Sequence, residues 1–251
     1  MFFIFIFHKS FLILKRKHNY NVNKHSHKFT LFYINYKYYK NKPFWLRVLD
    51  GSYEKQEIKA IKKYLKPNMK VLEVGGSLGI TSVIANSILK NSDKHFVLEA
   101  NPKLIENLKF NKSQNKSKFT IINKPISSLE KEVILNFNDI SLGGSINNKN
   151  QKYNEIKHGK YNNLKTKTLT PNLIEEIYDI QFDCLICDIE GEEYNLLLDL
   201  VNYFKKYRLM IIEFHFDLET DFLKFEKVKQ IYDGSFKIIE ISYNNLVFLK
   251  N

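Results

Sequence analysis

From Tyr53 onward, apolar and polar positions fall into short alternating runs. Ile58, Ile61, Tyr64 and Leu65 recur at helical spacing, and Pro67-Asn68 stops that helix. "KVLEVG" (70–75) is an apolar run of strand length, and "GITSVIANSILKN" (79–91) has a helical pattern. "KHFVLEA" (94–100) is a second strand, and Pro102 stands at the first turn of a helix, "PKLIENLKFNKSQN". "KFTIINKPIS" (118–127) is a third strand, "KEVILNF" (131–137) an extra one, and "LKTKTL" (164–169) is extended. Thr170-Pro171 starts a helix, with Thr170 as cap. "QFDCLICDI" (181–189) is a strand, "GEEYNLLLDLVNYFKK" (191–206) a helix and "RLMIIEFHF" (208–216) a strand. Asp217 can cap the next helix, which Gly234 ends. "SFKIIEIS" and "NLVFLK" close the chain as a hairpin around Tyr243-Asn244-Asn245. Near-continuous apolar strands alternating with amphipathic helices predict an α/β fold: a mostly parallel sheet, covered on both faces, with an antiparallel hairpin at one edge.

Residues 1–41 break this rhythm. They begin "MFFIFIFHKSFLILKRKH" and continue rich in Lys, His, Asn and Tyr. The expectation is a poorly ordered appendage (1–41) on a single domain (42–251). Neither apolar half approaches the ~20 residues of a membrane span. The basic cluster Lys15-Arg16-Lys17 follows the apolar run, the reverse of a signal peptide. A weak membrane association through this segment stays open as an alternative.

Composition changes the picture little. The chain has 251 residues, 44% of them hydrophobic, enough for a sizeable core. Net charge is +12, which admits nucleic acid or anionic lipid as a partner. The excess is mostly Lys and is spread along the whole chain, so it reads as a compositional bias. Cys184 and Cys187 lie within one strand pattern, where residues three apart face opposite sides. No second pair completes a zinc site. Two buried thiols in a reducing compartment, the cytoplasm, are expected.

Three of the nine glycines fall in "EVGGSLG": Gly75, Gly76 and Gly79. A Gly-x-Gly-x-x-Gly dinucleotide fingerprint fails at Ser77 and Ile80, and a P-loop fails because no lysine follows Gly79. The remaining pattern is acid-x-Gly-x-x-x-Gly, on Glu73, Gly75 and Gly79. It suits a ligand whose amino-acid end meets the loop and whose nucleoside lies along the strand ends, as in S-adenosylmethionine. Glu99 ends the next strand, where a carboxylate can accept both ribose hydroxyls. The glycines are expected to make room for the methionine end of this cofactor.

These blocks, taken in order, resemble the FkbM-type methyltransferases, enzymes of the class I Rossmann-like methyltransferase fold. The resemblance runs from about Trp45 to Phe214. It is carried by Gly51, Tyr53 and Glu54 in "GSYEKQEI" and by "VLEVGGSLGITS", where Glu73 stands for the usual Asp. "VLEANPKLIENLKFNKSQN" keeps Glu99, Asn101 and Pro102, with Ala100 in place of a proline. "CLICDIEGEEYNLL" supplies Asp188, Glu190, Gly191 and Glu192, and "IIEFHF" supplies Glu213 and His215. A usual Asp is Thr170 here, a residue that still caps a helix. The resemblance implies S-adenosylmethionine as cofactor, held by Tyr53, Glu73, Gly75, Gly76, Gly79, Glu99, Asn101, Asp188 and Glu190. It also implies methylation of a hydroxyl acceptor, a sugar, glycan or small metabolite.

Asp188 ends an apolar strand and must face a polar pocket or be paired. His215 ends the next strand, with the ordinary acidity of a general base. His215, or failing it Asp188, is the expected catalytic base. Glu192 and Glu193 are expected to serve the first turn of a helix, where the dipole favours acids. No resident metal is expected, although Asp188, Glu190, Glu213 and His215 form a set that could hold a divalent cation. The polar loop 139–163, with Gly143-Gly144-Ser145, lies where an acceptor would bind. Two other readings compete. One is an RNA methyltransferase on the same fold, disfavoured because Asp-Ile-Glu-Gly replaces the Asn/Asp-Pro-Pro-aromatic block. The other is a non-catalytic, membrane-attached protein of this fold. Nucleic acid is therefore not an expected partner, and oligomeric state is left open.

Overall fold

The computed structural model describes residues 2–7, 10–16, 29–35, 52–137, 144–145, 162–189, 191–216 and 219–251. Three strands, β1 (Phe2–Phe7), β2 (Ser10–Arg16) and β3 (Phe29–Asn35), form an antiparallel sheet in chain order. They fall within the segment expected as an appendage.

The main domain begins with α1 (Lys55–Tyr64), followed by β4 (Val71–Val74), α2 (Ile80–Ile88), β5 (His95–Leu98), α3 (Ile105–Gln114) and β6 (Thr120–Ile122). β7 (Glu132–Phe137), β8 (Gly144–Ser145) and β9 (Asn162–Lys167) form a separate three-stranded antiparallel sheet of order β8-β7-β9. The chain then runs through α4 (Pro171–Tyr178), β10 (Cys184–Cys187), α5 (Glu193–Asp199), α6 (Val201–Phe204), β11 (Leu209–Glu213), α7 (Glu219–Tyr232), β12 (Phe236–Glu240) and β13 (Asn245–Lys250).

Seven of these strands make the central sheet, in the order β12-β13-β11-β10-β4-β5-β6. Neighbours are parallel from β11 through β6. β13 pairs antiparallel with both β11 and β12. The hairpin therefore lies at the edge as expected, but its reversed strand is the inner one, and β12 forms the rim. The chain passes from β4 outward to β5 and β6, then returns to β10 on β4's other side. This places the topological switch point, where open α/β sheets take their ligands, between the carboxyl ends of β4 and β10.

Strand side chains alternate between two apolar layers. Leu72, Val74, Leu185, Cys187, Met210 and Ile212 pack on one face under Ile174, Tyr194, Leu197, Phe204 and Val228. Val71, Cys184, Ile186, Leu209 and Ile211 pack on the other under Ala60, Ile61 and Ala85. The two cysteines are both buried, unbonded to each other and on opposite faces. Burial pushes both thiols well above their ordinary range.

Local signals place some ends and miss others. Thr170 caps α4 by accepting from the Leu173 N–H at 3.1 Å, with Pro171 at the first position. α3 begins at Ile105, after a turn in which Leu104 N–H donates to the Asn101 carbonyl, so Pro102 lies in that turn and not in the helix. The segment 191–206 is broken at Leu200 into α5 and α6. Gly51, Asp217, Glu190 and most of the 139–163 loop lie outside the described residues.

Candidate active site at the carboxyl ends of the strands

The glycine loop leaves β4 and leans on β5. The N–H groups of Gly75 and Gly76 both donate to the Leu98 carbonyl at 2.9 Å. A Cβ on Gly75 would lie 1.7 Å from the carbonyl oxygen of Asp188, and φ there is +92°. A Cβ on Gly79, at φ +80°, would lie 2.4 Å from Leu108 Cδ1, and one on Gly76 would lie 2.4 Å from Val97 Cγ1. The missing side chains thus clear space for the chain itself. Gly75 lets the ends of β4 and β10 meet at the switch point, and the others let α3 and β5 close beneath the loop. This corrects the expectation that the glycines make room for a bound ligand. Asn111 of α3 then holds the loop from below, its Nδ2 donating to the Leu78 carbonyl at 2.7 Å.

Glu73 also differs from its expected place. It is 1% exposed, on the face of β4 turned toward α2. Oε1 accepts from the Ser82 and Thr81 hydroxyls, and Oε2 accepts from His95 Nε2 at 2.7 Å. His95 Nδ1 in turn accepts from Asn86 Nδ2. Enclosed by these partners, Glu73 ties β4 to the start of α2 and to β5 and does not reach the open side of the loop.

Glu99, one residue beyond β5, does reach the loop. Oε2 accepts from the Ser77 N–H and Oε1 from the Asn101 N–H, each at 2.6 Å. Ser77 is held at φ +45°, a conformation that L-residues adopt only under constraint. Asn101 is fully buried, its Oδ1 accepting from the Lys103 N–H, while its Nδ2 has no hydrogen-bond partner among the described residues. A buried donor left without a partner costs ~1–3 kcal/mol and suits a polar ligand. The donors and acceptors beside Glu99 therefore fit a nucleoside with its ribose hydroxyls.

On the other side of the switch point, Asp188 follows β10 and His215 lies two residues past β11. His215 Nδ1 donates to Glu193 Oε1 at 2.9 Å, and Nε2 lies 3.6 Å from Asp188 Oδ1. Glu193 is fully buried. Its carboxylate also accepts from the N–H groups of Ile189 and Gly191, so it folds back over its own turn while fixing the imidazole. Tyr194 donates its hydroxyl to the His215 carbonyl at 2.9 Å and pins the backbone at the same point. Sequence reasoning assigned Glu193 to the helix dipole and missed this role. The signal was available: Leu197, four residues on, puts Glu193 on the buried face of α5. Glu192 is the more exposed of the two acids and accepts from Asn195 Nδ2. Glu213, at the end of β11, accepts from Asn244 Nδ2 at 3.1 Å.

α1 delivers a further set of groups. The Tyr53 hydroxyl lies within hydrogen-bonding reach of Glu54 and Ser77, and burial followed by the Glu54 charge raises its phenol well above the ordinary range. Tyr53 thus joins α1 to the glycine loop. Glu57, one turn into α1, is 3% exposed. Burial, then the carboxylates of Glu54, Asp188, Glu73 and Glu213, push its carboxyl well above the ordinary range. Sequence reasoning missed Glu57 too. It follows Glu54 at i+3 and precedes Ile61 at i+4, a spacing that places it on the helix's inner stripe.

A seven-stranded, mostly parallel sheet with this order, and a glycine loop, acids and a histidine at the carboxyl ends of its strands, defines a Rossmann-like methyltransferase fold. The family model for the methyltransferase FkbM domain matches residues 73–236, more than half of the chain, and the chain belongs to that family. No curated protein sequence matches it. Among solved structures it is similar to a ribosomal protein L11 methylase from Lactobacillus delbrueckii subsp. bulgaricus, at 14% identity over 78% of each chain and a TM-score of 0.43. It is also similar to a precorrin-6y C5,15-methyltransferase from Geobacter metallireducens GS-15, at 11% identity over 78% of this chain and 89% of that one, with a TM-score of 0.44. A fibrillarin pre-rRNA processing protein from Methanococcus jannaschii is similar at 13% identity over 100% of this chain and 97% of that one, with a TM-score of 0.40. Among the described residues, no helix is long and apolar enough to cross a membrane.

Proposed function

We propose that the chain transfers a methyl group from S-adenosylmethionine to a hydroxyl group of a sugar, glycan or small metabolite. The observation that carries this reading is the arrangement Glu193–His215–Asp188 at the switch point. A buried carboxylate that accepts from Nδ1–H makes Nε2 the ring nitrogen with the lone pair. Nε2 is then the atom that takes the acceptor's proton, and Asp188, 3.6 Å away, stabilises the imidazolium that results.

Glu99 would hold the ribose hydroxyls of the cofactor, Asn101 Nδ2 would donate to its nucleoside, and the backbone of the Gly75–Gly79 loop would meet its amino-acid end. Tyr53 closes that end by bridging α1 to Ser77. When bound, the cofactor supplies an electrophilic methyl group on a positively charged sulfur. The chain's contribution is orientation of the acceptor oxygen for in-line attack and removal of its proton. A hydroxyl, unlike an amine, needs that proton taken as its nucleophilicity develops, so a positioned histidine favours oxygen as the acceptor. The burial of Tyr194, Tyr207, Tyr232, Phe204, Phe236 and Phe248 supports the same preference, because these rings serve the core and not a base-stacking surface.

The experiment is methyl transfer from label-bearing S-adenosylmethionine into separate pools of glycans, small hydroxyl metabolites and RNA. Label in a base-stable ether of the first two pools is expected. Label confined to RNA would replace this reading with the nucleic-acid one.

A further inference from the structure

Beside the histidine there is a second cluster, which shares Asp188 with the proton-transfer scheme and adds two acids that the scheme does not use. The carboxylates of Glu54, Glu57 and Asp188 each offer an oxygen within 4.8 Å of the others. Carboxylates in water avoid this arrangement, and the largest charges acting on Glu57 are those of other carboxylates. Glu57 supplies an independent observation. It is 3% exposed, and among the described residues no hydrogen bond or ion pair reaches its carboxyl group. A buried acid without a partner is costly unless a cation or a proton completes it.

Distance and ligand chemistry narrow the choice. Two oxygens bound to one hard divalent ion, at roughly 2.0–2.6 Å each, lie no more than about 5 Å apart. The three carboxylates meet that limit pairwise. All three donors are oxygen, the set that magnesium, manganese and calcium prefer. The neighbouring group Asp188, Glu193 and His215 meets the same spacing. There, however, Glu193 is already bonded to Ile189 N–H, Gly191 N–H and His215 Nδ1.

We propose that Glu54, Glu57 and Asp188 form a binding site for one hard divalent cation of the magnesium, manganese or calcium type. Two ligands come from the start of α1 and the third from the end of β10, so the ion clamps α1 onto the sheet at the switch point. Sharing Asp188 with the histidine, it lies where oxygens of a hydroxyl-rich acceptor can enter its coordination sphere.

Manganese chloride is the probe, titrated into the full chain freed of metal by chelation and dialysis. Free Mn²⁺ is read by electron paramagnetic resonance, so no methyl transfer is involved. The expected result is one Mn²⁺ bound per chain. Loss of even an outer partner weakens metal sites roughly 10–100-fold, so Glu57→Gln and Asp188→Asn should each weaken binding by at least about tenfold. His215→Ala should weaken binding less than either, because His215 reaches the ion only through Asp188, 3.6 Å away. Circular dichroism confirms that each variant is folded. Glu57→Gln also relieves repulsion, and Asp188→Asn stands in should it fail to fold. Absence of binding at millimolar Mn²⁺, or equal binding by Glu57→Gln, overturns the proposal. So does binding lost in His215→Ala but kept in Glu57→Gln, which puts the ion in the histidine cluster. If Glu57→Gln loses only S-adenosylmethionine affinity while the native chain binds no metal, the three acids serve the cationic end of the cofactor and the metal site is refuted.

Discussion

Among the described residues, two carboxylate–histidine pairs of nearly equal length sit in different surroundings. Glu73 and His95 meet at 2.7 Å, with side chains 1% and 0% exposed. Glu193 and His215 meet at 2.9 Å, with Glu193 sealed but His215 one-quarter exposed. His95 begins β5, at the amino end of the sheet, and His215 follows β11, at the carboxyl end. Both nitrogens of His95 are turned to buried protein groups, Glu73 and Asn86. His215 Nε2 instead lies 3.6 Å from Asp188, whose side chain is one-quarter exposed. The chemistry of the pair is the same, and its position along a parallel strand decides whether it is sealed inside the sheet or lies at the carboxyl end, where open α/β sheets take their ligands.

The largest expected effect tests the sealed pair. His95→Ala leaves Glu73 buried without its partner, and breaking a buried pair costs ~3–5 kcal/mol. Urea unfolding should show a lower midpoint by that amount. A loss below about 1 kcal/mol, within the range of exposed pairs, would make the two histidines alike. The next effect falls on the other pair. Glu193→Gln removes the charge that fixes His215, and misplacement of a reacting group by about 1 Å costs about 10²-fold. Turnover should fall by that order with S-adenosylmethionine affinity unchanged, measured by steady-state methyl transfer and calorimetry.

A smaller effect concerns pH. Glu57 binds its proton more tightly in the folded chain than in the unfolded one, where its pKa is ordinary. Its contribution is therefore complete below the ordinary carboxylate range and is lost as pH rises toward the raised folded value. In chelator-treated buffer, the melting temperature should fall across that window, and Glu57→Gln should flatten the fall. An unchanged slope in the variant would contradict the cause assigned. The smallest effect is at the thiols. Cys184 and Cys187, buried with raised pKa, should not react with a thiol reagent until the chain unfolds.

Much of the fold was legible because strands buried on both faces leave long apolar runs, and because Thr170-Pro171 and Gly234 are local signals. The rim of the sheet was less legible. Which strand of the last hairpin lies inside depends on pairing between β11 and β13, and no residue pattern records that. In the site, Glu99, Asp188 and His215 could be picked out by their positions at strand ends. Glu73 could not be placed, because an acid in mid-strand looks the same whether its partner is a ligand or His95, twenty-two residues away. The glycines were legible as a motif and misread in purpose, since the atoms they avoid, those of Asp188 and Leu108, are remote in sequence. Glu57 and Glu193 were hidden by the ordinary preference of helices for acids in their first turn. Only the burial of the face they share with Ile61 and Leu197 separates them from solvent-facing acids.

One measurement tests the central claim, that the exposed histidine takes the acceptor's proton while the sealed one holds the sheet. It is single-turnover methyl transfer by His215→Ala, at saturating S-adenosylmethionine, with the acceptor found by the labelled screen. A rate lower by about 10²–10⁴-fold, with cofactor affinity and unfolding midpoint kept, is the predicted result. A rate near that of the native chain would contradict it.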